Sequence, residues 1–131
     1  MVEIPAEFRD ILDKKSFVHL ATKMKDGSPQ VSPVWAEFDG EHIVINSAVG
    51  RLKDRNIRRD ERVAVSATDP DNPYRALMIR GRVVKITEEG AEAHIDHLAN
   101  KYMGVDSYPY RTADEVRVKY YIAVDKVGTM G

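Results

Sequence analysis

Residues 16–47 read SFVHLATKMKDGSPQVSPVWAEFDGEHIVINS. Two Asp-Gly pairs, Asp26-Gly27 and Asp39-Gly40, divide this stretch into three runs rich in β-branched and aromatic residues. Tight hairpins favour Asp-Gly because glycine takes up positive φ without steric cost. The spacing predicts strands over 16–23, 30–38 and 42–47, joined as an antiparallel meander. Upstream, Ile4, Phe8, Ile11 and Leu12 recur at helical spacing over 3–14, with Pro5 where a first turn tolerates proline. Downstream, 50–60 switches to a helical pattern, and 62–68 reads as a fourth strand.

The run Asp69-Pro70-Asp71-Asn72-Pro73 interrupts the chain, and 76–87 is a long strand. Gly81 in its middle predicts a bulge or a close backbone approach. Ala91, Ile95, Leu98, Ala99 and Tyr102 form the apolar stripe of a helix. Tyr108-Pro109-Tyr110 is irregular, Thr112 and Glu115 have the spacing of a short capped helical turn, and 116–127 closes the chain as a strand. Six strands with short peripheral helices predict a mainly β, α+β chain. The expected architecture is an antiparallel barrel, closed or nearly so, because a parallel sheet requires regular βα alternation.

Composition bounds the function. The 131 residues, 43% hydrophobic and 31% charged, suit one soluble domain spanning 1–131. A net charge of −1 argues against a dedicated nucleic-acid binder. With no cysteine in the chain, disulfides, thiolate chemistry and Cys-based metal sites are excluded. The N-terminus lacks a basic, apolar leader, and no run approaches the roughly 20 apolar residues that span a bilayer. A cytoplasmic location and no membrane partner are expected. The core of so short a barrel is modest, so a second copy would add useful buried surface.

The richest chemistry lies at 46–60, where a strand ends in small polar residues, turns at Gly50 and opens a helix. Amides at a helix start favour an anion, and cationic side chains beside them strengthen the attraction. A helical wheel sets Arg51, Arg55 and Arg58 on one side, with Lys53 and Asn56 nearer Leu52 and Ile57. Arg51 and Lys53 are therefore candidates for phosphate, while Arg55, Arg58 and Arg59 read as a solvated face. In 27–35, alternation puts Gln30, Ser32 and Val34 on one face and Val31, Pro33 and Trp35 on the other. Prolines in this strand leave backbone groups unpaired, free to meet a planar heterocycle; taken alone, a twisted edge strand whose polar residues face water is the better reading of the segment.

Other residues carry weaker signals. His94 and His97 stand at i and i+3, but no third ligand is evident in sequence, so a solvated helix face is expected and no metal site is assigned. His19 and His42 read as strand histidines, and Trp35 as packing. Tyr108 and Tyr110 suit either a substrate wall or an aromatic plug. No Ser-His-Asp arrangement or phosphate-binding Walker loop is present, and no catalytic side chain is assigned.

Three segments together resemble a known family. ATKMKDGSPQVSPVW (21–35), INSAVGRLKDRNIRRDERVAVS (45–66) and NPYRALMIRGRV (72–83) are similar to the pyridoxamine-5′-phosphate-oxidase-like class that includes probable F420-dependent enzymes. The resemblance runs over residues 8–127. It implies a split β-barrel homodimer with two sites at the subunit interface, holding coenzyme F420, a deazaflavin, or else FMN. It further implies that Arg51, Lys53 and Asn56 hold the cofactor phosphate and that Gln30, Ser32, Pro33 and Val34 line the ring. Asn46 and Ser47 would flank the linker, and Arg80 would touch cofactor or substrate. The C-terminal arm of true pyridoxamine-phosphate oxidases is missing, which argues against vitamin B6 oxidation.

Three function classes follow. The first is an oxidoreductase that passes a hydride from reduced F420 to a small unsaturated acceptor, the cofactor supplying the chemistry. The second is an FMN-binding protein or FMN-dependent oxidoreductase, with or without turnover. The third is a barrel for single-stranded nucleic acid, which lacks the interleaved aromatics that base stacking needs.

Overall fold

The Asp-Gly turns form as expected, with Gly27 at φ 89° and Gly40 at φ 97°. They join β1 (Val18–Lys23) to β2 (Pro29–Val34), and β3 (Ala36–Phe38) to β4 (Ile43–Ala48). The computed structural model describes residues 1–131. After β4 come helix α2 (Leu52–Arg59), β5 (Arg62–Asp69), β6 (Asn72–Thr87), helix α3 (Ala91–Met103) and β7 (Arg117–Met130). A short helix α1 (Asp10–Asp13) precedes β1.

The seven strands make one antiparallel sheet in the order β2-β1-β5-β6-β7-β4-β3. The strand expected over 30–38 is two strands, separated only by Trp35, and they lie at opposite edges of the sheet. Each Asp-Gly hairpin is local, as expected, but the two hairpins do not pair with each other. The curled sheet therefore meets itself at a seam crossed by the chain at Trp35 and by no ladder of hydrogen bonds, a split barrel. Pro29 and Pro33, which cannot donate to a ladder, sit in the edge strand where the loss costs least.

Helix α3 covers the seam. Tyr102 Oη accepts from Ala36 N at 3.2 Å and donates to Ser16 O at 2.7 Å. Lys101 Nζ donates to Leu12 O at 2.5 Å and to Ala36 O at 2.7 Å. These side chains give the backbone at the seam the partners that a neighbouring strand would otherwise supply.

The long strand β6 behaves as its glycine predicts. Its pairing with β7 slips between Arg80 and Gly81, and a Cβ at residue 81 would lie 2.3 Å from Ala123 O. Inside the barrel, Leu20, Ile43, Ile45, Leu77, Tyr120 and Ile122 are fully buried members of one core cluster. Tyr120 is the polar exception. Its hydroxyl donates to Asp54 Oδ1 at 2.6 Å, while Asp54 Oδ2 accepts from Gly50 N at 2.9 Å. Burial and this carboxylate drive the Tyr120 phenol far above its ordinary pKa.

Two further expectations give way. The helix expected over 3–14 is a 3-10 turn (Ala6–Phe8) followed by the four residues of α1. Arg9 Nε takes Ile4 O at 2.9 Å and Ser16 Oγ takes Ile11 O at 2.5 Å, so side chains replace helical bonds while Ile4, Ile11 and Leu12 still reach the core. Thr112 and Glu115 close a backbone turn, Glu115 N to Thr112 O at 3.4 Å, and no helix follows.

Candidate functional site

The seam and the start of α2 border one cavity of about 260 Å³. Pro33 and Val34 reach it from the end of β2, Trp35 from the seam and Asn46 from β4. Arg51 and Lys53 enter from the α2 N-terminus, Arg117 from the start of β7, and Tyr108 and Tyr110 from the loop after α3.

The lower wall is cationic. Arg117 is almost fully buried, and its Nε donates to Asn46 Oδ1 at 2.9 Å. Glu115 is the shared counter-ion, 2.8 Å from Arg51 NH2 and 2.9 Å from Arg117 NH1. Burial, and then the charges of Arg51 and Arg117, hold the Lys53 ammonium below its usual pKa. Lys53 is half-buried and makes no hydrogen bond or ion pair of its own. Three cations thus face one carboxylate, an imbalance that a bound anion would relieve.

The helix start is organised for the same charge. Asp54, in the first turn, turns its carboxylate inward to Gly50 N, Arg58 Nε and the Tyr120 hydroxyl. That capping fixes the Gly50 turn, where φ is 91°. The N–H groups of Leu52 and Lys53 follow immediately, at the positive end of the helix.

The upper wall is aromatic. Trp35 stacks on Tyr102, with ring centres 5.3 Å apart and planes within 5°. Tyr108 meets the edge of Trp35 at 6.1 Å, and Tyr110 meets Tyr108 at 5.7 Å. The Arg117 guanidinium lies 5.3 Å from the centre of the Tyr108 ring. The loop bearing both tyrosines is tethered to α3, where Asp96 accepts from Tyr108 N at 2.8 Å and from Arg111 at 3.0 Å. An anion cradle beside a flat aromatic wall suits a ligand with a phosphate at one end and a planar ring at the other.

Of the residues to which the resemblance gives a cofactor role, Pro33, Val34, Asn46, Arg51 and Lys53 share this cavity. The others lie elsewhere. Asn56 is completely buried, donating to Thr22 Oγ1 at 3.0 Å and to Met24 Sδ at 3.4 Å. Thr22 in turn donates to Gln30 Oε1 at 3.3 Å, so Asn56 and Gln30 tie α2 to the β1–β2 hairpin. Ser32 is half-buried on β2, its Oγ shielded and without a partner. Ser47 is fully buried inside the barrel. Arg80 lines a separate cavity of about 550 Å³, on the outer sheet face with Val31 and Met78.

Helix α2 also differs from its wheel, since Leu52 is exposed and Asp54 is buried. Arg117 is the residue that sequence reading missed. Its one signal is a charged residue between Val116 and Val118 at the head of a strand, and nothing local says which way it points. His94, expected on a solvated helix face together with exposed His97, is instead buried beside a carboxylate. Glu37 on β3 places Oε1 2.8 Å from His94 Nε2 and Oε2 3.1 Å from His97 Nε2.

Comparisons with known proteins agree with this architecture. Residues 4–130 match the pyridoxamine 5′-phosphate oxidase family. Among solved structures, an F420 reductase is 32% identical, with a TM-score of 0.84 over 95% of this chain and 98% of that one. A conserved hypothetical protein of Mycobacterium tuberculosis, 24% identical, superposes with a TM-score of 0.77 over 99% of this chain and 86% of its own. An FAD-binding protein of Mesorhizobium loti, 20% identical, shares the fold with a TM-score of 0.67 over 96% of this chain and 94% of that one. No curated protein matches the sequence.

Proposed function

Because the chain belongs to the pyridoxamine 5′-phosphate oxidase family, we propose that it is an oxidoreductase using a phosphate-bearing flavin or deazaflavin. The supporting observation is Lys53, half-buried and unpartnered between Arg51 and Arg117 in a cavity with an aromatic wall. The preferred cofactor is coenzyme F420, and the preferred reaction is hydride transfer to a small unsaturated organic acceptor. FMN is the second candidate.

When bound, either cofactor supplies hydride chemistry at its ring. Lys53, Arg51 and the α2 amides would take the phosphate. Pro33, Val34 and Trp35 would border the ring and keep water from it, and Asn46 would stand between ring and phosphate. Gln30 and Asn56 fit a supporting role, since their amides already hold α2 against the hairpin.

The row Arg51, Arg55 and Arg58 bears on the choice of cofactor. F420 continues beyond its phosphate into a tail of carboxylates, and FMN stops there. Arg51 is shared with Glu115 and Arg58 with Asp54, whereas Arg55 is exposed and carries no ion pair. The two shared arginines favour FMN, and the continuous basic row favours F420. Side-by-side titration of the purified protein separates them. F420 is expected to bind more tightly, with affinity rising with tail length and falling with salt. Tighter FMN binding at low salt, or indifference to tail length, would assign the site to FMN.

A second copy of the chain belongs to the same proposal. The outer face of β1, β2, β5 and β6 exposes Val31 at 62% and Met78 at 43% around the cavity that holds Arg80. Such an apolar sheet face is costly in water and suits burial against its own copy. Light scattering is expected to give a dimer at micromolar concentration; a monomer there would separate Arg80 from any shared site.

A further inference from the structure

The buried polar groups between β3, β4, α3 and β7 form one continuous chain that reaches the cationic wall. Asn46 is its pivot, with both amide N–H groups and the amide oxygen engaged. Nδ2 donates to Ala91 O at 2.9 Å and lies 3.1 Å from His94 Nδ1, while Oδ1 accepts from Arg117 Nε at 2.9 Å. Turning the amide over would set its oxygen against the Ala91 carbonyl and its NH2 against the arginine N–H. The orientation is therefore fixed by two partners whose roles cannot change.

This orientation decides the state of His94. An amide N–H directed at Nδ1 needs a lone pair there, so the ring proton sits on Nε2. Nε2 lies 2.8 Å from Glu37 Oε1 in a contact too bent for a linear hydrogen bond, and the pair holds the Glu37 carboxyl below its ordinary pKa. A ring protonated on Nε2 is not a metal ligand through that atom, although His97 and Glu37 stand beside it.

We infer that His94 is a positioning residue for the anion cradle. It accepts from Asn46, which presents Oδ1 to Arg117 and so holds the guanidinium against the cavity wall under Tyr108. Glu37 holds the ring from the other side, and exposed His97 shares that carboxylate. A helix that covers the barrel seam thus also sets the aim of a buried cation on β7. The placement of Arg117 stands on this geometry alone; its consequence for ligand affinity rests on the function proposed above.

The test uses the full chain and three variants. In long-range proton–nitrogen spectra of the wild-type protein, His94 is expected to carry its proton on Nε2; a proton on Nδ1 overturns the inference, whatever the variants do. His94→Leu removes both contacts and is expected to shift or lose the Arg117 Nε–H signal and to weaken FMN binding about fivefold. His94→Asn keeps an acceptor oxygen where Nδ1 stood and is expected to retain both the signal and the affinity. A folded His94→Leu with Arg117 unmoved, or His94→Asn as impaired as His94→Leu, overturns the assignment. Lys53→Ala is the separate control. If it leaves FMN affinity unchanged, the phosphate site falls, while the ring proton and the arginine signal still decide the role of His94.

Discussion

Lys53→Ala is expected to weaken binding of both FMN and coenzyme F420 by about tenfold or more, since a hydrogen bond to a charged group contributes roughly 1.5–3 kcal/mol. Lys53 is the cation with no competing partner, so its contribution is available to the ligand in full. Arg58→Ala should lose much less affinity, because Arg58 is already bonded to Asp54 and does not line the cavity. The pH profile gives a second signature. In the free protein, burial and the neighbouring arginines lower the Lys53 pKa, and a bound phosphate would raise it again. Affinity is then full below the lowered pKa and falls as pH rises through it, earlier than an ordinary lysine would allow. In Lys53→Ala this alkaline limb should disappear. Equal and small losses in Lys53→Ala and Arg58→Ala, measured by fluorescence titration, would remove the phosphate from this cavity.

The second large effect is on stability. Gly81→Ala is expected to cost about 3 kcal/mol, roughly 10 °C in Tm. The added Cβ would stand 2.3 Å from Ala123 O and 3.1 Å from Ile122 Cγ2. The carbonyl belongs to the paired backbone of β7 and cannot rotate aside as a side chain could. Relief requires β6 and β7 to separate at the bulge, where the register already slips. Gly128, in β7 opposite Met78, is the contrast. A Cβ there meets its nearest atom, the flexible Met78 methyl, at 3.6 Å. Gly128→Ala should therefore unfold close to the wild-type temperature. Equal melting temperatures for Gly81→Ala and Gly128→Ala would show that the β6–β7 approach is looser than the structure has it.

The site was partly legible in the chain. Arg51 and Lys53 follow Gly50 directly, so one turn and the first residues of one helix deliver both to the same place. Pro33 and Val34 were legible only through the resemblance of 21–35 to the family, since the edge-strand character of their segment by itself favoured a solvent-facing edge. Asn56 was not, because a helical wheel gives a direction and not what lies there; Thr22 and Met24 occupy it. Leu52 is exposed and Asp54 buried for a related reason. Asp54 is buried because Tyr120, Gly50 and Arg58 converge on its carboxylate, and Tyr120 is 66 residues away.

What the sequence determined by itself is what neighbouring residues settle between them. Asp26-Gly27 and Asp39-Gly40 set two hairpins through the φ that glycine permits, Gly81 marked the bulge, and side-chain periodicity set α3. What only the tertiary structure decided is which edges meet. A strand's backbone pairs equally well with any strand of suitable register, so nothing local could say that β2 and β3, one residue apart, belong to opposite edges of the sheet. That choice follows from closing a curled sheet around Leu20, Ile45, Leu77 and Tyr120, which keeps all four from water. The pairing of β4 with β7 brings Arg117 to Asn46 across 71 residues of chain and sets both beside Lys53, on one cavity.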